Sequence, residues 1–170
     1  MVVLAGLPGA GKSTLAAALS NRVPGARVID KDQVRDALFA PCDYSAAERD
    51  VSLAAMLDAA IYHLGRGRVV IFDGLTFSRR NEVEAVASVA AESGAFSAVI
   101  VCDVPVAVAI ERVERDTGHV AANRDGDLVR RVAREMEEPP GEYLTVSMVG
   151  ALESVVADVL AYVEEAAGER

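Results

Sequence analysis

The chain predicts a single-domain α/β fold: a five-stranded, mostly parallel sheet with helices on both faces and a lid over one end. Three observations carry this expectation. Five short apolar runs alternate with longer helix-like segments along 170 residues, and such alternation demands parallel strands joined by crossover helices. The middle runs, "RVVIFDG" at 68–74 and "FSAVIVCDV" at 96–104, are apolar almost without a break, as strands buried on both faces are. No linker, repeat or compositional shift divides the sequence, so residues 1–170 read as one domain with an adequate core.

The elements follow in order. Val2, Val3, Leu4 and Ala5 form a short buried strand, and after a glycine-rich loop residues 15–19 continue as an Ala-rich helix without breakers. Pro24-Gly25 turns the chain into a second strand, 27–30. "DQVRDALF" reads as a short helix ending before Pro41, and Ser45 with Glu48 forms a capping box for a long helix to about Gly65. The third strand, 68–74, leads to a helix over 78–93 that stops at Gly94. After the fourth strand, 96–104, Pro105 opens a helix to about Asp116. Residues 117–127 are polar and read as a loop, and a further helix reaches Glu138. The fifth strand is 144–147, and in the last helix Leu152, Val155, Val156, Val159, Leu160 and Val163 recur at helical spacing and dock it on the sheet.

Composition narrows the function classes. The chain has 17 Lys and Arg against 26 Asp and Glu, a net charge of −9, and 5% aromatic residues. That balance favours a small substrate over nucleic acid, which draws on basic surface and stacking platforms. Hydrophobic residues make up 52% with a mean hydropathy of +0.24, yet no apolar run approaches the ~20 residues of a membrane span. The first glycine of the loop is residue 6, which leaves no room for a signal peptide before it, and a cytoplasmic protein is expected. Cys42 and Cys102 are too few for a disulfide framework, and His63 and His119 have no ligand-spaced companion.

"GLPGAGKST", Gly6 to Thr14, fills the pattern G-x-x-x-x-G-K-[ST] between a strand and a helix, the context a phosphate-binding P-loop requires. A loop around a polyphosphate turns tightly with its N–H groups inward, which Gly6, Gly9 and Gly11 permit. The backbone of Leu7, Pro8 and Ala10 completes the cradle. Lys12 supplies charge near the β- and γ-phosphates, the Ser13 hydroxyl a ligand for Mg²⁺, and the helix starting at the loop its dipole.

In such sheets the ligand lies beyond the carboxyl ends of the strands, so polar residues there are the candidates. Asp32 and Arg35 follow the second strand on one face of the short helix. A phosphoryl acceptor needs a carboxylate within hydrogen-bond reach of its hydroxyl, a role Asp32 can fill; an N-cap is its ordinary alternative. Arg35 reads either as an acceptor contact or as a solvated helix residue. Asp73 ends the third strand as a Walker B carboxylate does, holding Mg²⁺ through water or orienting the acceptor, or else bonding only Ser13 and the P-loop. Thr76 follows as an acceptor contact; Arg79 and Arg80 fit a solvated pair. Arg112 and Arg115 share a helix face, Arg124 follows, and Gly118, Asn123 and Gly126 supply hinges, so residues 112–127 read as a closing lid. Tyr143 and Leu144 border the nucleotide base in this reading.

These residues resemble a group of P-loop kinases that includes polynucleotide kinases, chloramphenicol phosphotransferase and the zeta toxins. The resemblance rests on G-x-P-G-A-G-K-S-T, on "IDKDQVR" with its D-x-x-R after the second strand, on Asp73, and on R-x-x-R after the Asp103-Val104-Pro105 turn, in the same order over most of the chain. It implies the P-loop NTPase fold and a kinase that uses ATP and Mg²⁺ to phosphorylate a hydroxyl acceptor. By the same resemblance Asp32 is the general base, Arg35 an acceptor-binding residue, and Arg115, with Arg112 beside it, the lid arginine on the transferring phosphates. A small alcohol, a nucleoside monophosphate, a sugar nucleotide and a polynucleotide 5′-hydroxyl all remain acceptors under this reading. A regulatory P-loop ATPase is the rival class, and the D-x-x-R segment has no use in it.

Overall fold

The structure, a computed structural model, describes residues 1–116, 118 and 124–168. Five strands, β1 (Val2–Ala5), β2 (Arg27–Asp30), β3 (Val70–Asp73), β4 (Ala98–Asp103) and β5 (Leu144–Ser147), form one sheet in the order β2-β3-β1-β4-β5. Every pairing is parallel, so the expected mostly parallel sheet is parallel throughout. The third and fourth strands are shorter than the apolar runs that announce them: β3 begins at Val70 and β4 at Ala98, although Val69 O already accepts from Arg27 N at 2.8 Å.

Alternation along β1 divides the core. Val2 and Leu4 face one layer, with Leu15, Ala16 and Leu19 of α1 (Lys12–Arg22), Ala109 and Val113 of α5 (Val106–Arg115), Val129 of α6 (Gly126–Glu135) and Val155, Val156 and Val159 of α7 (Leu152–Gly168). Val3 and Ala5 face the other, with Phe72 of β3, Met56 and Ala60 of α3 (Ala46–Leu64) and Val83, Val86 and Ala90 of α4 (Arg80–Glu92). Both faces of the central strands are therefore buried, and each fully buried Leu, Ile or Phe there contributes about 1.5–3 kcal/mol. No helix among the described residues is long and apolar enough to cross a membrane.

Two caps depart from expectation. Asp30, not Asp32, caps α2 (Lys31–Phe39), its carboxylate accepting from the N–H groups of Asp32 and Gln33. Ser45 caps α3 by accepting from Glu48 N, but the Glu48 carboxylate turns past Ser45 and accepts from the N–H groups of Asp43 and Tyr44, both at 2.9 Å. Half of the capping box thus ties down the α2–α3 connection, where Tyr44 sits at φ 58°. The helix expected to reach Glu138 ends at Glu135; Glu137 and Glu138 instead bond Arg80, through its N–H and its Nε.

Candidate active site

β1 is the middle strand, and the chain leaves it on one side for β2 and β3 and on the other for β4 and β5. The crevice this creates lies at the strands' carboxyl ends. A cleft of about 530 Å³ occupies it, bounded by Pro8, Gly9, Gly11, Lys12, Ser13 and Thr14 of the loop, Asp32 and Arg35 of α2, and Asp73, Gly74 and Thr76 after β3. The sequence thus brings its donor-side and acceptor-side candidates to one place.

The loop is held by close backbone approaches. A Cβ on Gly6 would stand 2.6 Å from the Cys102 carbonyl oxygen, and one on Gly9 would stand 2.4 Å from that of Ala109. Both glycines have positive φ, so a side chain is excluded by conformation and by space. Gly6 N donates to Thr76 O at 3.0 Å, which ties the loop to the segment after β3, itself anchored by buried Leu75 and Phe77. Leu7 and Ala10 turn their side chains into the core and serve the site through their backbone.

Lys12 is buried and donates to the carbonyls of Gly6 at 2.9 Å and Leu7 at 2.8 Å. Burial pulls its ammonium down to about 8, against the attraction of nearby Asp73. Asp73 is 2% exposed; burial pushes its carboxyl up, opposed by hydrogen bonds from the Ser13 hydroxyl and the Gly74 N–H. Its Oδ1 has no hydrogen-bond partner. Cys102 lies beneath, a core thiol that burial pushes up to about 12.

A hydroxyl and a buried carboxylate with an unfilled oxygen beside a phosphate cradle fit a Mg²⁺ ion that takes its other ligands from phosphate and water. Among the described residues no group of three His, Cys, Asp or Glu could hold a metal ion; His119 lies outside the described residues.

Asp32, which is not the cap of α2, lines the cleft with Lys31 Nζ at 2.8 Å from its Oδ1. Asp30 and Asp73 stand opposite each other in the β2–β3 register. Gly74, at φ 78°, presses its backbone against the Asp30 carboxylate and the first N–H groups of α2. The two carboxylate-bearing strand ends are therefore fixed relative to each other.

Arg35 is not a solvated helix residue: it is 6% exposed, 3.9 Å from Glu48 Oε2, with its guanidinium 5.5 Å from the centre of the Tyr44 ring.

Across the loop, Arg112 lines the cleft and donates to the carbonyls of Ala10 at 3.3 Å and Met148 at 2.9 Å. Arg115 does not reach it. The Arg115 side chain is 78% exposed and pairs with Glu111 at 2.7 Å, because three residues of helix turn it about 60° from Arg112 and the shared face ends at solvent. Arg124 and Arg131 line the cleft instead. The proposed lid loop, including its Asn123 hinge, falls largely on 117 and 119–123, outside the described residues. Arg79 lines the cleft while Arg80 bonds Glu137 and Glu138, so the expected solvated pair is divided. A second cavity of about 210 Å³ adjoins the loop, lined by Gly11, Thr14, Arg112, Met148, Gly150, Leu152 and Val155; Tyr143 and Leu144 are not part of it. Sequence reading passed over Lys31 and Arg49 and took Arg131 only as one of the arginines of a charged helix face beside the lid; which cations of these helices face the cleft is decided by packing.

Solved structures share this architecture. A gluconokinase from Sinorhizobium meliloti 1021 superposes with a TM-score of 0.72 at 21% identity, covering 99% of this chain and 93% of that one. The APS kinase of Mycobacterium tuberculosis, in complex with AMPPNP and APS, gives 0.72 at 20% identity and 96% of each chain. The tunicamycin resistance protein of Deinococcus radiodurans gives 0.66 at 20% identity, with 95% and 94% covered. At these identities the likeness is one of fold, that of the P-loop kinases. No curated protein matches the sequence. A family model described as an AAA domain matches residues 1–139, most of the chain and all of the cleft's lining, and the protein belongs to that family.

Proposed function

We propose that the protein is an ATP-dependent kinase that transfers the γ-phosphoryl group to a hydroxyl of a small-molecule acceptor. One observation carries the reading: the P-loop and Asp32 line the same cleft. A cradle alone would suit any nucleotide-binding protein; a carboxylic acid residue lining the same cleft, with the capping of α2 done by Asp30, suits an acceptor.

In this scheme the loop N–H groups and Lys12 hold the β- and γ-phosphates, and Lys12 exchanges the Gly6 and Leu7 carbonyls for phosphate oxygens. Ser13 and Asp73 would hold a Mg²⁺ ion, whose charge would offset that developing on the phosphates. Asp32 accepts the proton of the acceptor hydroxyl as its oxygen bonds to the γ-phosphorus and the bond to the β–γ bridging oxygen breaks, leaving ADP. Arg112 keeps the loop in place and borders the second cavity, where the nucleotide base lies against Met148 and Gly150. Arg124 and Arg131 take the charge-stabilising role that the resemblance gives to Arg115.

The neighbours whose names specify gluconate and APS as acceptors support a small molecule, as does the net charge of −9. The test is transfer from γ-labelled ATP with Mg²⁺ to a panel of sugars, sugar acids, nucleosides, nucleotides and 5′-hydroxyl oligonucleotides, with Asp32→Asn alongside. A labelled product that falls by about 10²-fold or more in the variant supports the assignment. Phosphate release that ignores every acceptor and is unchanged in Asp32→Asn refutes it.

A further inference from the structure

The acceptor side of the cleft carries more positive charge than a neutral alcohol needs. Lys31, Arg35, Arg49 and Arg79 line it from α2, α3 and the start of α4, all on the β2–β3 side of the P-loop and separate from Lys12, Arg112, Arg124 and Arg131 around the phosphates. Their carboxylate partners, Asp32 excepted, are not in the cleft wall. Glu48, 8% exposed, stands behind Arg35 and spends both oxygens on the N–H groups of Asp43 and Tyr44. Glu82, also buried, stands behind Arg49, with Oε1 3.5 Å from Nη1. Asp50, with Oδ1 3.6 Å from Arg49 Nε, is likewise not part of the lining, so the carboxylates paired with Arg35 and Arg49 lie outside the cleft wall.

Arg35 is incompletely served by this arrangement. Its Nε is buried with no hydrogen-bond partner, since Glu48 at 3.9 Å is beyond hydrogen-bond reach. A desolvated guanidinium with an unfilled donor is costly unless something supplies an acceptor, and its planar fork matches an oxyanion. Arg35 also lies one helical turn from Asp32, about 5 Å along the axis, so the two can address different groups of one small molecule. On a protein of net charge −9, this local reversal of sign draws an anion into the cleft that the surface at large repels.

Resting on the kinase reading above, we infer that the acceptor is an acid: a small hydroxylated molecule with a carboxylate, sulfate or phosphate group held by Arg35 and Arg49, with its hydroxyl presented to Asp32. Arg79 closes the subsite from the α4 side. Arg35 and Arg49 select the acceptor, and neutral alcohols of the same size are poor substrates.

The experiment compares matched pairs under identical ATP and Mg²⁺: aldonic acids against the corresponding alditols, and nucleoside monophosphates against nucleosides. The expected result is a kcat/KM at least tenfold higher for the anionic member of a pair that reacts, a ratio that collapses toward one in Arg49→Gln and is partly kept in Arg49→Lys. Equal rates for acid and alcohol overturn the inference while leaving the kinase reading in place. A second measurement needs no turnover. With the donor site saturated by Mg·AMPPNP, calorimetric titration of sodium sulfate is expected to show saturable millimolar binding that Arg49→Gln abolishes, its fold checked by circular dichroism. Absence of such binding in the wild type, or its persistence in Arg49→Gln, overturns the anion subsite even if no acceptor in the panel reacts.

Discussion

Lys12→Met tests whether the P-loop holds its ammonium charged and desolvated before nucleotide arrives. In the unliganded fold Lys12 is buried against two carbonyls, and burial takes its ammonium from 10.5 to about 8. An amine whose proton affinity is weaker in the folded than in the unfolded chain destabilises the fold while it stays charged. Between those values the unfolded chain binds the proton more fully, so stability rises with pH across the window and the penalty is fully present below about 8. At about 1.4 kcal/mol per unit, the wild type should gain roughly 2–3 kcal/mol on Lys12→Met between about pH 7 and 10. Urea denaturation of both proteins without nucleotide, at unit intervals of pH, measures the difference; other titrations cancel in it. Parallel stability curves would refute the reasoning, because they would mean that Lys12 keeps an ordinary affinity for its proton. With Mg·AMPPNP bound, the phosphates hold the ammonium charged and the wild-type gain between pH 8 and 10 should shrink.

The remaining predictions divide stability from binding. Glu48→Ala leaves Arg35 buried without a counter-charge and frees the N–H groups of Asp43 and Tyr44; a loss of about 3 kcal/mol in urea unfolding is expected, and a loss under 1 kcal/mol would show that the pair is solvated. Gly9→Ala drives a methyl to 2.4 Å from Ala109 O and 2.9 Å from Val113 Cγ2, so affinity for ATP should fall at least tenfold, about 1.4 kcal/mol, read by calorimetry; unchanged affinity would show that the loop has room. Arg112→Ala removes the bonds to Ala10 and Met148 and should raise the KM for ATP about tenfold, whereas Arg115→Ala, at an exposed residue paired with Glu111, should stay within about twofold. The opposite order would restore Arg115 to the site.

The strands are legible because runs such as Val69 to Phe72 and Val99 to Cys102 can be buried only in the middle of a sheet, and the P-loop because its glycines answer a steric demand that no other residue meets. Lateral strand order is not legible: that β3 lies between β1 and β2 follows from packing across the sheet, which periodicity does not encode. The same gap explains the two caps. Asp30 and Asp32 differ as sequence only by place, Asp30 ending the strand and so reading as structural; that its carboxylate takes the first N–H groups of α2 is a matter of the turn between strand and helix. Arg112 and Arg115 differ just as little in sequence, and only the course of α5 past Ala10 and Met148 gives the cleft to the first and solvent to the second. Arg49 carried no signal at all, because its orientation depends on Glu82, 33 positions away and on a different helix.

A folded chain satisfies nearly all its buried polar atoms, so the exceptions are informative. Among the described residues they are Arg35 Nε, Asp73 Oδ1 and Glu82 Oε2. Arg35 and Asp73 line the cleft, and Glu82 stands behind Arg49, which also lines it. Lys12, charged and desolvated, belongs to the same place, as do the positive φ angles of Gly6, Gly9, Gly11 and Gly74. Elsewhere the sheet and its two apolar layers supply stability with little such conflict. Unmet polar demand gathered on one surface is what a site pre-organised for charged ligands requires, and under the proposed function phosphate, Mg²⁺ and an acidic acceptor would supply the partners that these groups lack. Substitutions that relax this conflict, Lys12→Met foremost, should therefore stabilise the fold or leave it unharmed while removing activity, whereas substitutions in the apolar layers should do the reverse.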